Sequence, residues 1–251
     1  MDTDSIILNL KSDKDCLFDS ADWPKPFEFS EAVVRVFDDM VSRSVPLYRD
    51  VNESVLFWTH SYYQKDSTIV DLGCSTGTTL EVIGRHFKSP IKMLGVDTSQ
   101  PMLDVAQDKL ASLSHRHQID FLHCSLEDVE LPMASVIILN YTLQFIPVRK
   151  RLPILQKIFS ALKPDGIVYI SEKIRYDNLG FQETTNRIYE NFKHRAGYSK
   201  SEIERKKEAL DQVLVPMTIE QLSAMIKAAG FSVQETVLKW NNFVSLVAQK
   251  S

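Results

Sequence analysis

Between Ser30 and Ser44 apolar side chains recur at three- and four-residue steps, with Val33, Phe37, Met40 and Val41 on one face. That period predicts a helix with Ser30 as N-cap, and Pro46 forces the Ser44–Val45 step out of helical geometry. A second amphipathic stretch, Tyr48 to Tyr63, carries Val51, Val55, Leu56 and Trp58. The rhythm then changes to short, near-continuously apolar runs at Thr68–Asp71, Lys92–Val96, Ile119–Leu122, Ala134–Leu139 and Gly166–Ile170. Helical segments separate them: one running to Phe87, one capped by Ser99 with Pro101 in its first turn, and one from Arg149 to Leu162. Strands alternating with helices at this spacing predict an α/β fold with a doubly wound, mostly parallel sheet. Strands so uniformly apolar are expected to be covered on both faces.

Both ends depart from this alternation. Residues 1–26 mix Asp, Lys, Ser and Pro without period and read as a flexible N-terminal arm, leaving 27–251 as a single domain. From about 177 to 215 the chain is helical and charged, densest at Glu202–Glu208. This stretch is expected to form an inserted helical lid over the carboxyl edge of the sheet. A helix from Thr218 to Ala229 ends at Gly230, and Phe231–Leu238 with Asn241–Val247 predict a C-terminal antiparallel hairpin.

Charge and cysteine usage narrow the function classes. Lys and Arg number 29 against 33 Asp and Glu, a net charge of −4, so no overall basic footprint for nucleic acid or an anionic membrane exists. Direct nucleic-acid binding is not expected, and the basic piece Arg205–Lys207 reads as a solvated helix face. Cys16, Cys74 and Cys124 lie far apart with no Cys-x-x-Cys spacing, which excludes a structural zinc site and a disulfide framework. No apolar run approaches the roughly 18 residues of a membrane span, and the acidic start is unlike a signal peptide. A cytoplasmic protein without metal is expected.

The chemistry points to one crevice. Val70–Gly77 places a glycine-rich turn directly after the first buried strand, where close backbone approach and a helix N-terminus can receive a ligand. It is neither Gly-x-Gly-x-x-Gly nor a Walker loop, and it resembles motif I of class I S-adenosylmethionine (SAM) dependent methyltransferases. In that motif the acidic residue and the loop backbone receive the methionine end of SAM. Asp97, ending the second strand, is placed to bond ribose hydroxyls, or else serves only as an acid at a helix N-terminus. Asn140 follows four apolar residues at the carboxyl end of the fourth strand, a poor place for core filling. A sulfonium cation favours aromatic faces, and Tyr48, Tyr141 and Tyr176 adjoin the predicted edge or lid. Cys74 reads as a small backbone-contact residue rather than a nucleophile.

Several segments together are more specific. Val36–Tyr48, Asp71–Ser75, Leu139–Phe145, Ser171–Lys173, Asn191–Lys193, Gly197–Ser199 and Asn242–Ala248 resemble the carboxy-S-adenosylmethionine synthases, from Phe27 onward. The resemblance implies a Rossmann-like class I methyltransferase fold and a metal-free homodimer. It also implies conversion of SAM and prephenate to a carboxymethyl sulfonium, which a partner enzyme places on the wobble uridine of tRNA. It implies SAM contacts at Tyr48, Gly73, Cys74, Ser75, Asp97, Thr98, Ser125, Leu126 and Asn140 and a role for Lys207, which joins Tyr141 and Tyr176, the aromatic candidates for the sulfonium, as the catalytic candidates. Two positions depart from the family: Ser125 replaces an Asp, with Asp128 close by, and Lys207 replaces the arginine that grips the new carboxylate, with Arg205 two residues earlier. Lysine offers a point charge where arginine makes a planar two-pronged clasp. The alternatives are a SAM cyclase that releases methylthioadenosine and forms azetidine-2-carboxylate, a small-molecule methyltransferase, and a protein that only binds SAM or tRNA.

Overall fold

The computed structural model describes residues 12–19 and 27–251. Two helices, α1 (Glu31–Ser44) and α2 (Tyr48–Tyr62), precede β1 (Thr68–Leu72). There follow α3 (Thr78–His86), β2 (Lys92–Asp97), α4 (Gln100–Leu110), β3 (Gln118–His123) and β4 (Ala134–Asn140). Then come α5 (Val148–Ala161), β5 (Leu162–Lys173), α6 (Leu179–Arg195), α7 (Lys200–Ala209), α8 (Ile219–Ala228), β6 (Val233–Trp240) and β7 (Phe243–Gln249). The sheet order is β3-β2-β1-β4-β5-β7-β6. The first five strands are parallel, and β7 runs antiparallel between β5 and β6. This is the expected doubly wound sheet with its terminal hairpin.

Alternation along each strand divides the core into two layers. Val70 of β1 packs with Ile154, Leu155 and Ile158 of α5 and Leu222 and Ile226 of α8. Its neighbour Ile69 faces the other way, toward Val51 and Val55 of α2, Leu80 and Ile83 of α3, and Leu103 of α4. Helices on both faces explain why the strands are apolar throughout.

Several boundaries differ from the sequence pattern. The expected strand Gly166–Ile170 is a twelve-residue β5, because pairing with β7 extends it to Lys173. Phe231 is not in β6: Gly230 turns at φ 118°, and Phe231 is buried edge-on against Phe159 at 5.1 Å. The inserted helical segment consists of two helices, broken at Gly197 (φ 92°) and restarted by a capping box of Ser199 and Glu202. Ser30 and Ser99 occupy their N-cap positions without side-chain capping; Ser99 Oγ instead donates to the Phe29 carbonyl at 3.2 Å.

Within the arm, residues 12–19 are packed against α1 and α7, where the sequence pattern suggested flexibility. The Asp15 amide donates to Asp39 at 2.7 Å, and Tyr198 donates its hydroxyl to the Asp15 carboxylate. Phe18 joins Val33, Phe37, Met40 and Ala209 in a third apolar cluster. The rest of the arm, 1–11 and 20–26, lies outside the described residues.

Candidate active site

Strand order reverses between β1 and β4, so their outgoing connections part and leave a crevice at the carboxyl ends. A cavity of about 610 Å³ lies there, walled by the ends of β1, β2, β4 and β5, the start of α2, and α1, α6 and α7. Its size suits a nucleoside with a second small molecule beside it. Tyr48, Gly73, Cys74, Ser75, Asp97, Thr98, Ser125, Leu126, Asn140, Tyr141 and Lys207 all line it.

Tyr176 does not. Its hydroxyl donates to the Asn241 carbonyl at 2.9 Å, and Lys239 lies over its ring at 5.6 Å. The Tyr176 amide bonds Gln182 at 2.7 Å, which anchors the β5–α6 connection and turns the ring toward the hairpin. Arg205 is also turned away, donating to the Phe18 and Asp19 carbonyls on the far side of α7. Lys206 and Lys207 of the same helix reach the cavity, and Lys206 is buried, so Arg205–Lys207 is not the solvated face expected.

The glycine turn works differently from a bare amide cradle. Gly73 and Cys74 donate their amides to the Val96 carbonyl at 2.7 and 3.0 Å, and Ser75 donates to Asp97 Oδ2 at 2.9 Å. Positive φ at Gly73 (78°) and Ser75 (48°) curls these groups toward β2. A Cβ on Gly73 would lie 2.4 Å from Thr142 Cγ2, so glycine is required by a close approach of protein to protein. The turn therefore fixes Asp97, with Asp71 nearby in β1, rather than offering those three amides to a ligand.

Those acids define one end of the cavity. Asp97 accepts from the Ser75 and Ser99 amides, each at 2.9 Å, which orients its two oxygens while leaving lone pairs to spare. Burial raises its pKa, and these amides oppose that rise. Asp71 is 1% exposed and is pushed up to about 7 by burial, with Asp97 adding to the effect. Ser125 Oγ donates to Asp128 at 2.6 Å, while Glu127, not Asp128, reaches the cavity wall. Asn140 donates to Thr79 Oγ1 at 3.3 Å, and that hydroxyl donates onward to Asn52 at 3.0 Å.

An adenosyl sulfonium with a free amino group needs acceptors and aromatic faces, and the cavity supplies both. Of the six buried side-chain polar atoms without a hydrogen-bond partner among the described residues, two, Oδ1 of Asp71 and Oδ1 of Asn140, belong to the cavity lining. Buried oxygens of that kind are rare unless a ligand or water completes them. Tyr141, held at φ 61° where β4 ends, packs edge-on against Phe243 at 6.1 Å, and Phe243 meets Tyr189 at 5.0 Å. This aromatic row leads to the opposite end, where Lys173, Lys193, Lys206 and Lys207 converge. Lys206 donates to Ser44 Oγ at 2.8 Å and sits 3.5 Å from Asp15. Lys207 faces Glu190 at 3.7 Å.

Sequence reasoning pointed to Asp71 only as the acidic residue of motif I, and it did not single out Lys173, Tyr189, Lys193 or Phe243. A signal existed for some of them: Asp71 opens the glycine turn, and the two lysines close the Ser171–Lys173 and Asn191–Lys193 segments. Nothing in the linear pattern brings those two segments together.

The sheet, its crevice and the cavity's chemistry are those of a class I, Rossmann-like methyltransferase fold. A profile described as a methyltransferase domain matches residues 69–166. Human N-acetylserotonin methyltransferase, solved with SAM, superposes with a TM-score of 0.61 at 17% identity, over 88% of this chain and 57% of that one. A SAM-dependent methyltransferase from Thermotoga maritima gives 0.57 at 18% identity, over 88% and 98%. Sequence similarity is closer elsewhere. The carboxy-S-adenosyl-L-methionine synthase of Trichodesmium erythraeum is 49% identical over 97% of this chain and 96% of its own length. The enzyme of that name from Campylobacter hominis is 42% identical over 90% and 95%. The chain belongs to the carboxy-S-adenosyl-L-methionine synthase family. Among the described residues no helix is long and apolar enough to cross a membrane.

Proposed function

We propose that this chain is a transferase that acts on SAM itself: prephenate gives up its ring carboxylate as CO2 and its ring hydroxyl as hydroxide to leave phenylpyruvate, the hydroxide takes a methyl proton as water, and the SAM methyl carbon bonds the CO2. We assign the methionine ammonium to Asp71 and Asn140, the ribose hydroxyls to Asp97, and the adenine surround to Thr98, Ser125 and Leu126. Gly73, Cys74 and Ser75 form the wall of the methionine arm, and Tyr48 closes it from α2. Tyr141 gives the sulfonium a π face. Lys207 stands where the family has arginine and holds the new carboxylate as a point charge. The chain works as a homodimer in the cytoplasm.

The observation that carries this reading is the cavity's polarity: Asp71, Asp97 and Glu127 toward one end, and at the other Lys173, Lys193, Lys206 and Lys207, which outnumber the acids Glu190 and Asp211 in the lining. Opposed charges suit a cationic nucleoside placed beside an anionic co-substrate. A neutral methyl acceptor would have no use for the basic end.

The test is to incubate the protein with SAM, with and without prephenate, and identify products by mass. Carboxymethyl sulfonium formed only with prephenate is expected. Methylthioadenosine with azetidine-2-carboxylate, or SAM unchanged in both mixtures, overturns the reading. Lys207→Arg should retain or improve carboxymethyl formation, and a complete loss in that variant would argue against this reading.

A further inference from the structure

Two lysines meet on one ring at the basic end of the cavity. Lys173 closes β5 and Lys193 lies in the last turn of α6; their ammonium nitrogens are 4.7 and 4.5 Å from the Tyr189 ring centroid. Lys193 is 6% exposed. Neither ammonium donates to an oxygen among the described residues. The neighbouring cations are committed elsewhere, Lys206 to Ser44 and Asp15, Lys207 to Glu190.

An ammonium that faces a confined cavity without a protein acceptor is poorly served there, and a cation–π contact satisfies none of its N–H donors strongly. No fold requirement explains two such groups side by side, since an apolar pair would pack there at lower cost. Both face a cavity floored by the aromatic row of Tyr189, Phe243 and Tyr141.

We infer that Lys173 and Lys193 form, over Tyr189, an anion seat for the carboxylate that a dicarboxylate co-substrate keeps while its other carboxylate reacts. The inference rests on the function proposed above and says which residues choose its co-substrate. The row of rings fits a co-substrate that carries a ring of its own, and the two ammoniums select a dianion over a monoanion.

The electrostatics agree with this geometry. Burial pushes Lys193 down to about 7, with Lys173, Lys206 and Lys207 acting in the same direction and Glu190 against them. Lys173 is lowered to about 8 by burial and Lys207, again opposed by Glu190. An arriving carboxylate reverses both effects, so binding draws in protons above neutral pH.

The test compares wild type with Lys173→Gln, Lys193→Gln and Lys193→Arg for SAM affinity, prephenate KM and proton uptake, the last by calorimetry in two buffers at pH 8. Each Gln variant should raise prephenate KM roughly 10- to 100-fold, as for loss of a charged hydrogen bond. SAM affinity should stay unchanged, and Lys193→Arg should recover most of the loss. Wild type should take up protons with prephenate, and Lys193→Gln should take up fewer, leaving the share of Lys173. A KM within twofold of wild type in both Gln variants overturns the seat and leaves the proposed reaction standing. So does a loss of SAM affinity at unchanged prephenate KM, which would give these lysines to SAM's own carboxylate. If wild type makes no product with prephenate, the proposed reaction falls, and malonate titrated into protein loaded with S-adenosylhomocysteine judges the seat alone. Malonate binding with proton uptake that Lys193→Gln reduces keeps it, and no binding, or uptake unchanged in that variant, overturns it. Wild-type proton uptake serves as the deciding measurement should a variant fail to fold.

Discussion

Asp71 gives the acidic end of the cavity a measurable pH signature. Its carboxyl is 1% exposed, Oδ1 has no partner among the described residues, and burial beside Asp97 lifts its pKa to about 7. A ligand ammonium placed against it favours the carboxylate, so below pH 7 binding must expel a proton. The penalty factor is 1 + 10^(7 − pH), roughly 11 at pH 6 and roughly 1.1 at pH 8, so affinity rises about tenfold between them. The assay is calorimetry with the unreactive ligand S-adenosylhomocysteine in pairs of buffers of different ionisation enthalpy. About one proton should leave per ligand at pH 6 and almost none at pH 8. Asp71→Asn should weaken binding at pH 8 and lose the slope.

The stability of the empty protein carries the opposite sign. With its native pKa above the ordinary 3.8, the folded state binds more protons than the unfolded chain between about 4 and 7, so stability falls as pH rises through that window. The gap sets an upper bound of ~4 kcal/mol. Relaxation and water access should leave roughly 1–3 kcal/mol to be gained by Asp71→Asn at pH 8. Glu172, buried near Arg151 and raised to about 8, adds a term of the same sign. The Asp71 share is therefore the difference between wild type and variant. A dissociation constant steady within twofold from pH 6 to 8, or a variant that keeps the wild-type slope, refutes the reasoning.

Three further outcomes are expected. Gly73→Ala should cost roughly 2–4 kcal/mol in a denaturant melt, since it combines a clash with a positive φ, and Thr142→Ala in the same chain should return part of it. Tyr176→Phe should lower stability by roughly 0.5–1.5 kcal/mol through its lost bond to Asn241, with kcat/KM for SAM within twofold of wild type. Asp15→Ala leaves the buried Lys206 ammonium without its carboxylate and should cost roughly 3–5 kcal/mol, with faster proteolysis in the segment 12–19.

The primary sequence determined the local elements and their order. Apolar steps of three and four, uniformly apolar strand runs and turn residues are short-range signals, so α1 to α5, the parallel sheet and the hairpin were legible. So was the carboxyl edge of the sheet, because the crevice follows from strand order, and the Gly73–Gly77 turn, Asp97 and Asn140 each stand at a strand end. Side-chain direction across long separations was not legible. Whether Tyr176 faces the cavity or the hairpin depends on how the β5–α6 connection is anchored by Gln182. That the Gly73 and Cys74 amides turn toward Val96 depends on the pairing of β1 with β2. Only the tertiary structure brings Lys173, Lys193, Lys206 and Lys207 together. They come from three elements separated by turns, and their meeting depends on how α6 and α7 fold back over β5. It takes a folded interior to remove water from an ammonium, so the electrostatic character of that end comes from packing.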